Sequence, residues 1–448
     1  MNQSTMFVGV AKRVITPELG SELAGFDARK GVATAVHDDL YVRAVVFDAS
    51  GETVVLLTLD LIGISQKTTD AVREAVYAST GIAKRNVILC ATHTHCGPVT
   101  IKHFFNGNQP KDETYLKLLK AKTIDAIEEA FANRTPARLR SGLVKVKGVA
   151  VNRRTESGQP IDDLAGVLAV ESPEGKLRAV VVSYACHPTV LGPNTLDVTR
   201  DFPHYLDIEL TKQLGDDVTV LYFNGTEGDL SIGHKSFLSA VGVIADFRTY
   251  AKAEEIGSRL AKAVLAGLPQ LIVEKSEVVS THITVSLPLK SYEPYPVMQQ
   301  KTIDAKQLLD AESATVPEGA ETPFDVILKR QNYLFARIEE YYASLLAEQP
   351  DMKTLDVEVS VVRLGKTALL FVPGEIFVEI GLAIRSRSPF AKTILFGLAN
   401  DYIGYVPTIE QAKLSGYEVV ASRVTPEASL VLENDSVKAL ESAFRAKG

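Results

Sequence analysis

The feature that most constrains the fold is the recurrence, through the first half of the chain, of short β-branched apolar runs separated by stretches with helical spacing. Residues 53–59, 86–91, 164–170, 177–184 and 218–223 read as strands. Residues 66–79 and 111–133 read as helices, the second carrying Leu116, Leu119, Ile124, Ile127 and Phe131 on one face. Residues 201–214 read as another, with Asp201 as N-cap and Gly215 closing it. Such an alternation buries its apolar faces only as stacked layers. The expected class is therefore α/β (α+β): layered mixed β-sheets flanked by helices, with any metal site in loops at strand ends. Further on, residues 276–289 alternate as a half-buried strand and 323–349 read as a long helix, while 355–364, 368–372, 393–396 and 436–447 return to strand, turn and helix. The segment 291–322, rich in Pro, Glu and Ala with weak periodicity, reads as an insertion or a lid.

Charge and composition exclude several functions. The formal net charge is -7, and no Lys/Arg block is interleaved with aromatics, so nucleic acid is not an expected partner. No apolar run is long enough to span a bilayer. The stretch after Met1 has neither the positive nor the apolar region of a signal peptide, which gives a cytoplasmic expectation, or a secreted one if a leader was removed. Three cysteines, Cys90, Cys96 and Cys186, are too few and too odd a number for a secreted disulfide framework.

All three lie in or beside histidine motifs. In residues 86–98 an apolar strand runs into His93-Thr-His95-Cys-Gly97-Pro98. Imidazoles at i and i+2 on an extended chain point to opposite faces, so both serve one site only if the chain turns, for which Gly97-Pro98 is suited. A polar strand end explains the pair equally well. A second apolar strand, 181–186, delivers His187 before a proline; a lone histidine there is also compatible with a structural role. Glu375, after Pro373-Gly374, opens a helix-like stretch and by itself suits a helix dipole. The stretch from Asn400-Asp-Tyr402 to Tyr405 could be an aromatic turn.

Taken in order, Ile15-Thr-Pro, Ala91-Thr-His-Thr-His-Cys-Gly-Pro98, His187-Pro, Gly228-Asp-Leu-Ser231, Pro373-Gly-Glu375 and Asn400-Asp-Tyr-Ile-Gly-Tyr405 resemble the catalytic domain of the neutral (alkaline, non-lysosomal) ceramidases. The resemblance implies a single catalytic domain over 1–448. It also implies one Zn2+ ion per chain, held by His93, His187, Glu375 and Tyr405, and assistance to the reaction from His95, Arg153 and Tyr417. Ser231 carries an implied nucleophile-like or positioning role, of which a zinc-water mechanism needs only positioning. Two imidazoles, a carboxylate and an open position suit a catalytic zinc, which brings a bound water's pKa to about 7 and polarises a carbonyl. His95 is then the proton shuttle, and Arg153 and Tyr417 are donors to the oxyanion.

Other polar residues have two readings. His37, Asp38 and Asp60 could orient the ligand histidines, or serve as a turn and a strand cap. Cys96 and Cys186 could enter the metal shell as thiolates. His103, His204, His234 and His282 are read as structural or surface residues. The chain departs from the ceramidase pattern at Cys96, where serine is usual, and in the absence of glycines after Pro98. It also ends too soon after the tyrosine motif for the family's β-rich C-terminal domain. The expected activity is therefore zinc-dependent hydrolysis of a small-molecule N-acyl amide, ceramide among them, or of an ester. The alternatives are a non-catalytic metal-dependent binding protein and a two-metal phosphoesterase drawing on Asp38, Asp60 and Asp229. The oligomeric state is not fixed by the sequence.

Overall fold

A computed structural model describes residues 5–102, 112–317 and 322–446. The expected alternation is realised as two sheets. The larger has nine strands. It runs in the order β8 (Thr219–Asn224), β7 (Leu177–Tyr184), β6 (Leu164–Glu171), β5 (Thr135–Lys145), β1 (Met6–Val14), β2 (Tyr41–Ala49), β3 (Glu52–Leu59) and β4 (Val87–Ala91), with a two-residue strand, Ile272–Val273, beside β5. Pairing is parallel only in β3/β4 and β7/β8, each crossing over a helix, and antiparallel elsewhere. The smaller sheet runs β9 (Val278–Pro288), β10 (Thr354–Leu364), β11 (Thr367–Phe371), β12 (Lys392–Phe396), parallel only in its last pair.

The two sheets face each other. Phe47, Leu56 and Phe223 from the larger pack with Leu369, Phe371 and Phe396 from the smaller, all fully buried. Helices cover the outer faces. Helices α1 (Gln66–Thr80) and α2 (Glu113–Ala132) lie over β1 to β4, and α3 (Phe202–Leu214) and α4 (Tyr250–Gly267) over β6 to β8. The smaller sheet is covered by α6 (Phe324–Glu348), α7 (Val378–Arg387) and α8 (Ala428–Arg445). Helix α5 (Tyr295–Ser313) packs against α6 as a hairpin.

Two expectations need revision here. The segment 291–322 is not irregular: nineteen of its residues form α5, which buries only Met298 and so leaves almost no periodic trace in the sequence. The last helix begins at Ala428, eight residues before the expected start. His103 lies outside the described residues. Asp201 is the N-cap of α3, its carboxylate accepting from the Phe202 amide at 2.6 Å.

Candidate metal centre

The site forms where strand ends from both sheets meet. After β4 the chain keeps pairing for two residues, Thr92 N–H donating to Leu59 O and His93 N–H to Leu61 O. It then turns at His93 itself, whose φ of 70° lies in the left-handed region. The turn expected at Gly97-Pro98 is thus made four residues earlier, by a non-glycine residue held in a strained conformation. It brings His93 and His95 to one side, with ring centroids 4.9 Å apart. His187 arrives from the end of β7, its amide donating to Leu230 O.

Glu375 and Tyr405 come from the smaller sheet. Beyond β11 and β12 the chain forms a two-residue parallel pair in which Glu375 stands opposite Tyr405. Gly374 makes this possible: its φ is 77°, and a Cβ there would lie 2.5 Å from Gly404 O. Glu375 Oε2 then sits 2.9 Å from His187 Nε2 and 3.4 Å from His93 Nε2, and its other oxygen accepts from the Tyr402 hydroxyl at 2.5 Å.

The outer nitrogens of the two imidazoles fix what the inner ones can do. His93 Nδ1 lies 2.6 Å from Ile62 O, and His187 Nδ1 lies 2.9 Å from both Glu227 O and Leu230 O. Carbonyls only accept, so each Nδ1 carries a proton and each ring turns its Nε2 inward. Both Nε2 atoms face one carboxylate at 1% exposure. Two imidazole nitrogens able to offer lone pairs, converging with a buried carboxylate, are a donor set that fits a metal ion.

His95 is placed differently. Its Nε2 is 3.3 Å from His93 Nε2, and the three histidines' ligand atoms all lie within 4.8 Å of one another. Its buried Nδ1 has no partner among the described residues, so nothing fixes its tautomer. Burial, reinforced by His93 and His187, holds its pKa well below the usual imidazole range. Its ring rests against Phe26 at 4.8 Å, and a Cβ at Gly25 would lie 2.4 Å from it.

Arg153 donates to the Tyr405 hydroxyl at 3.1 Å, to Gly228 O and to Glu418. Burial works against its charge, but Tyr405, Glu418 and Glu375 raise its pKa on balance. The Tyr417 ring meets that of Tyr405 edge-on at 5.9 Å. His95, His187, Arg153, Tyr405 and Tyr417 line a cavity of about 30 Å3, room for little more than an ion and a water. Ser231 is buried, its hydroxyl donating to His234 O and accepting from Gly233 N–H in a local turn.

Several expectations are corrected. Asp38 and Asp60 do not orient the histidines; backbone carbonyls do. Asp38 binds Arg200 and Thr199, and Asp60 binds Arg43 and the Tyr41 amide. His37 pairs with Asp38 and stacks on Tyr250. Neither Cys96 nor Cys186 joins the histidine cluster, and burial pushes the Cys96 thiol up to about 12. His234, read as structural or surface, lines the cavity. Tyr402 sat inside a recognised motif without a role. Glu227, buried with both carboxyl oxygens unpartnered among the described residues, had no sequence signal.

Residues 6–206 match the family profile described as neutral/alkaline non-lysosomal ceramidase, N-terminal. The neutral ceramidase of Pseudomonas aeruginosa is 23% identical over 460 aligned positions, 92% of this chain and 68% of that protein. Through residues 6–206 and this relative, the chain is similar to the neutral ceramidases. Its fold is likewise that of ceramidases. The crystal structure of the Pseudomonas aeruginosa neutral ceramidase superimposes with a TM-score of 0.75 at 20% identity, over 100% of this chain and 76% of that one. A ceramidase complexed with C2 gives 0.73 at 18% identity, over 97% and 75%.

Proposed function

We propose that this chain is a zinc-dependent amidohydrolase with one ion per chain, held by His93, His187, Glu375 and Tyr405. The similarity to neutral ceramidases supports a hydrolase of amide bonds. The observation that carries the metal is the pair of imidazoles pinned through Nδ1 to backbone carbonyls, both aimed at Glu375. When bound, zinc supplies a Lewis acid and a source of hydroxide at neutral pH. The remaining work falls to the chain. His95, within 3.3 Å of His93 Nε2 and with a free buried nitrogen, carries the proton to the leaving amine. Arg153 and Tyr417, in the cavity wall, donate to the developing oxyanion. Ser231, its hydroxyl held by its own turn, shapes the loop and does not attack.

The same geometry disfavours a phosphoesterase. The three carboxylates available to bridge a second metal are committed elsewhere: Asp38 to Arg200, Asp60 to Arg43, and Asp229 to Asn152 and the Val378 amide. A binding protein would have no use for an imidazole beside the ligands whose Nδ1 has no partner among the described residues. The test is to measure bound metal, then hydrolysis of N-acyl amides and esters of graded chain length with and without chelator. Chelator-sensitive turnover with about one zinc per chain is expected; turnover unaffected by chelation would overturn the zinc reading, and tight metal without turnover would favour the binding protein.

A further inference from the structure

Beside the metal cavity lies a wider cleft of about 370 Å3, and the two share a wall. Gly25 and Phe26 face the cavity, the next residues Asp27 and Ala28 face the cleft, and Ala240 borders both. The far wall is the α5/α6 hairpin, through Leu309, Arg330 and Tyr333. On α6, Arg330, Tyr333 and Arg337 recur at the three-to-four-residue spacing that keeps side chains on one face. Whatever enters the metal cavity from this side therefore passes between residues 25–30 and that face.

The charges are unevenly settled. Arg337 and Asp27 neutralise each other, one guanidinium nitrogen lying 2.9 and 2.8 Å from the two carboxylate oxygens. Arg330 and Lys30, on the same cleft, make no ion pair with any of the described residues. An exposed cation on a convex surface is simply solvated. Two cations without an ion-pair partner among the described residues, at a recess floored by Ala28, Ala240 and Val241, in a chain of net charge -7, create a local positive field against the overall one. A recess meant only for a long alkyl chain has no use for them.

We infer that this cleft is a substrate subsite for an anion, and that the substrate is a compact N-acyl amide bearing one carboxylate or comparable anionic group, joined to the scissile amide by a short apolar spacer. Arg330 clamps the anion, Lys30 adds charge, and Leu309 and Ala240 cover the spacer. The inference rests on the amidase reading above and deepens it.

Matched substrates test it: N-hexanoyl-β-alanine against its neutral carboxamide, with metal-loaded wild type, Arg330→Glu and Lys30→Glu. Wild type is expected to prefer the anion by at least tenfold in kcat/KM, mostly through KM. Arg330→Glu should abolish that preference while leaving the neutral amide's kcat/KM within about twofold, as expected of a charge acting on one substrate alone. Equal turnover of both amides by wild type would overturn the subsite and leave the amidase intact. Calorimetry with His95→Ala, which retains the cleft, separates the two readings if neither amide is cleaved. Binding of the anionic amide that Arg330→Glu abolishes would support the subsite while the amidase reading fails; no binding would overturn both.

Discussion

At the residue scale, His93 and His95 lie two positions apart and are held differently: Ile62 O accepts from His93 Nδ1, whereas His95 Nδ1 has no partner among the described residues. His93→Ala should therefore lose both zinc and activity, whereas His95→Ala should keep about one zinc per chain and lose roughly a hundred- to ten-thousand-fold in kcat. Metal analysis of the two purified variants decides it: metal loss in His95→Ala would make that residue a ligand. Tyr402 provides a third case. Its hydroxyl donates to Glu375 at 2.5 Å, so Tyr402→Phe should weaken zinc about 10- to 100-fold, read as a lower chelator concentration for half inactivation. Unchanged zinc retention would show that β-pairing alone aims the carboxylate. His93, His187 and Glu375 stand out in the sequence because each follows an apolar strand within a few residues, whereas Tyr405, nine residues past β12, is reached only through the motif that resembles the ceramidases. Tyr402 and His234 act from loops whose course depends on distant pairing, and Glu227 has no pattern around it.

At the element scale, two of the four proposed ligands rest on a pair only two residues long, formed by segments that follow β11 and β12 of the smaller sheet. Glu375 and Tyr405 belong to a parallel pair that exists only because Gly374 and Gly404 both adopt positive φ with their backbones in close approach. Gly374→Ala introduces a Cβ where Gly404 O stands and a left-handed residue costing about 1–2 kcal/mol. Because a shift of about 1 Å at a reacting group costs about a hundredfold, activity should fall at least that far while the melting temperature drops only a few degrees. A large fall in stability with proportionate activity would assign the glycine to folding alone. The strands themselves were readable, since β-branched apolar runs have few other fates. Their order was not. Strand β1 pairs with β5 across more than a hundred residues, and α5 hides because a helix that packs by one edge on another helix needs no apolar stripe.

For the whole molecule, the two sheets are also tied by a polar seam at the end of β4 opposite the candidate metal centre. His282 on β9 bridges Asn86, just before β4, and Ser360 on β10, at 2.9 and 2.8 Å. Asn86 also holds Glu52 and the Thr53 carbonyl, so this cluster ties the larger sheet to the smaller. The amide oxygen of Asn86 can only accept, so His282 Nε2 donates, while Ser360 Oγ, which also donates to Glu358, is the partner of Nδ1. Burial lowers the pKa of His282 to about 4, and Arg73 and Arg85 act the same way against the opposing pull of Glu358 and Glu52. The unfolded chain, near 6.5, binds the proton more readily, so the stability this residue contributes is present above about pH 6.5 and is lost as pH falls toward 4. Partial exposure limits the effect to on the order of 1–3 kcal/mol. Gln at 282 can make the same two hydrogen bonds without titrating. Denaturant unfolding of wild type and His282→Gln between pH 7.5 and 4.5 should show the two converging at high pH and separating on acidification, with the variant the more stable below pH 6. Parallel curves would mean that the seam is held without regard to the charge of His282. Acid sensitivity would then trace to the other low-pKa histidines, among them His204, which burial also lowers to about 4 beside Asp38 and Arg200.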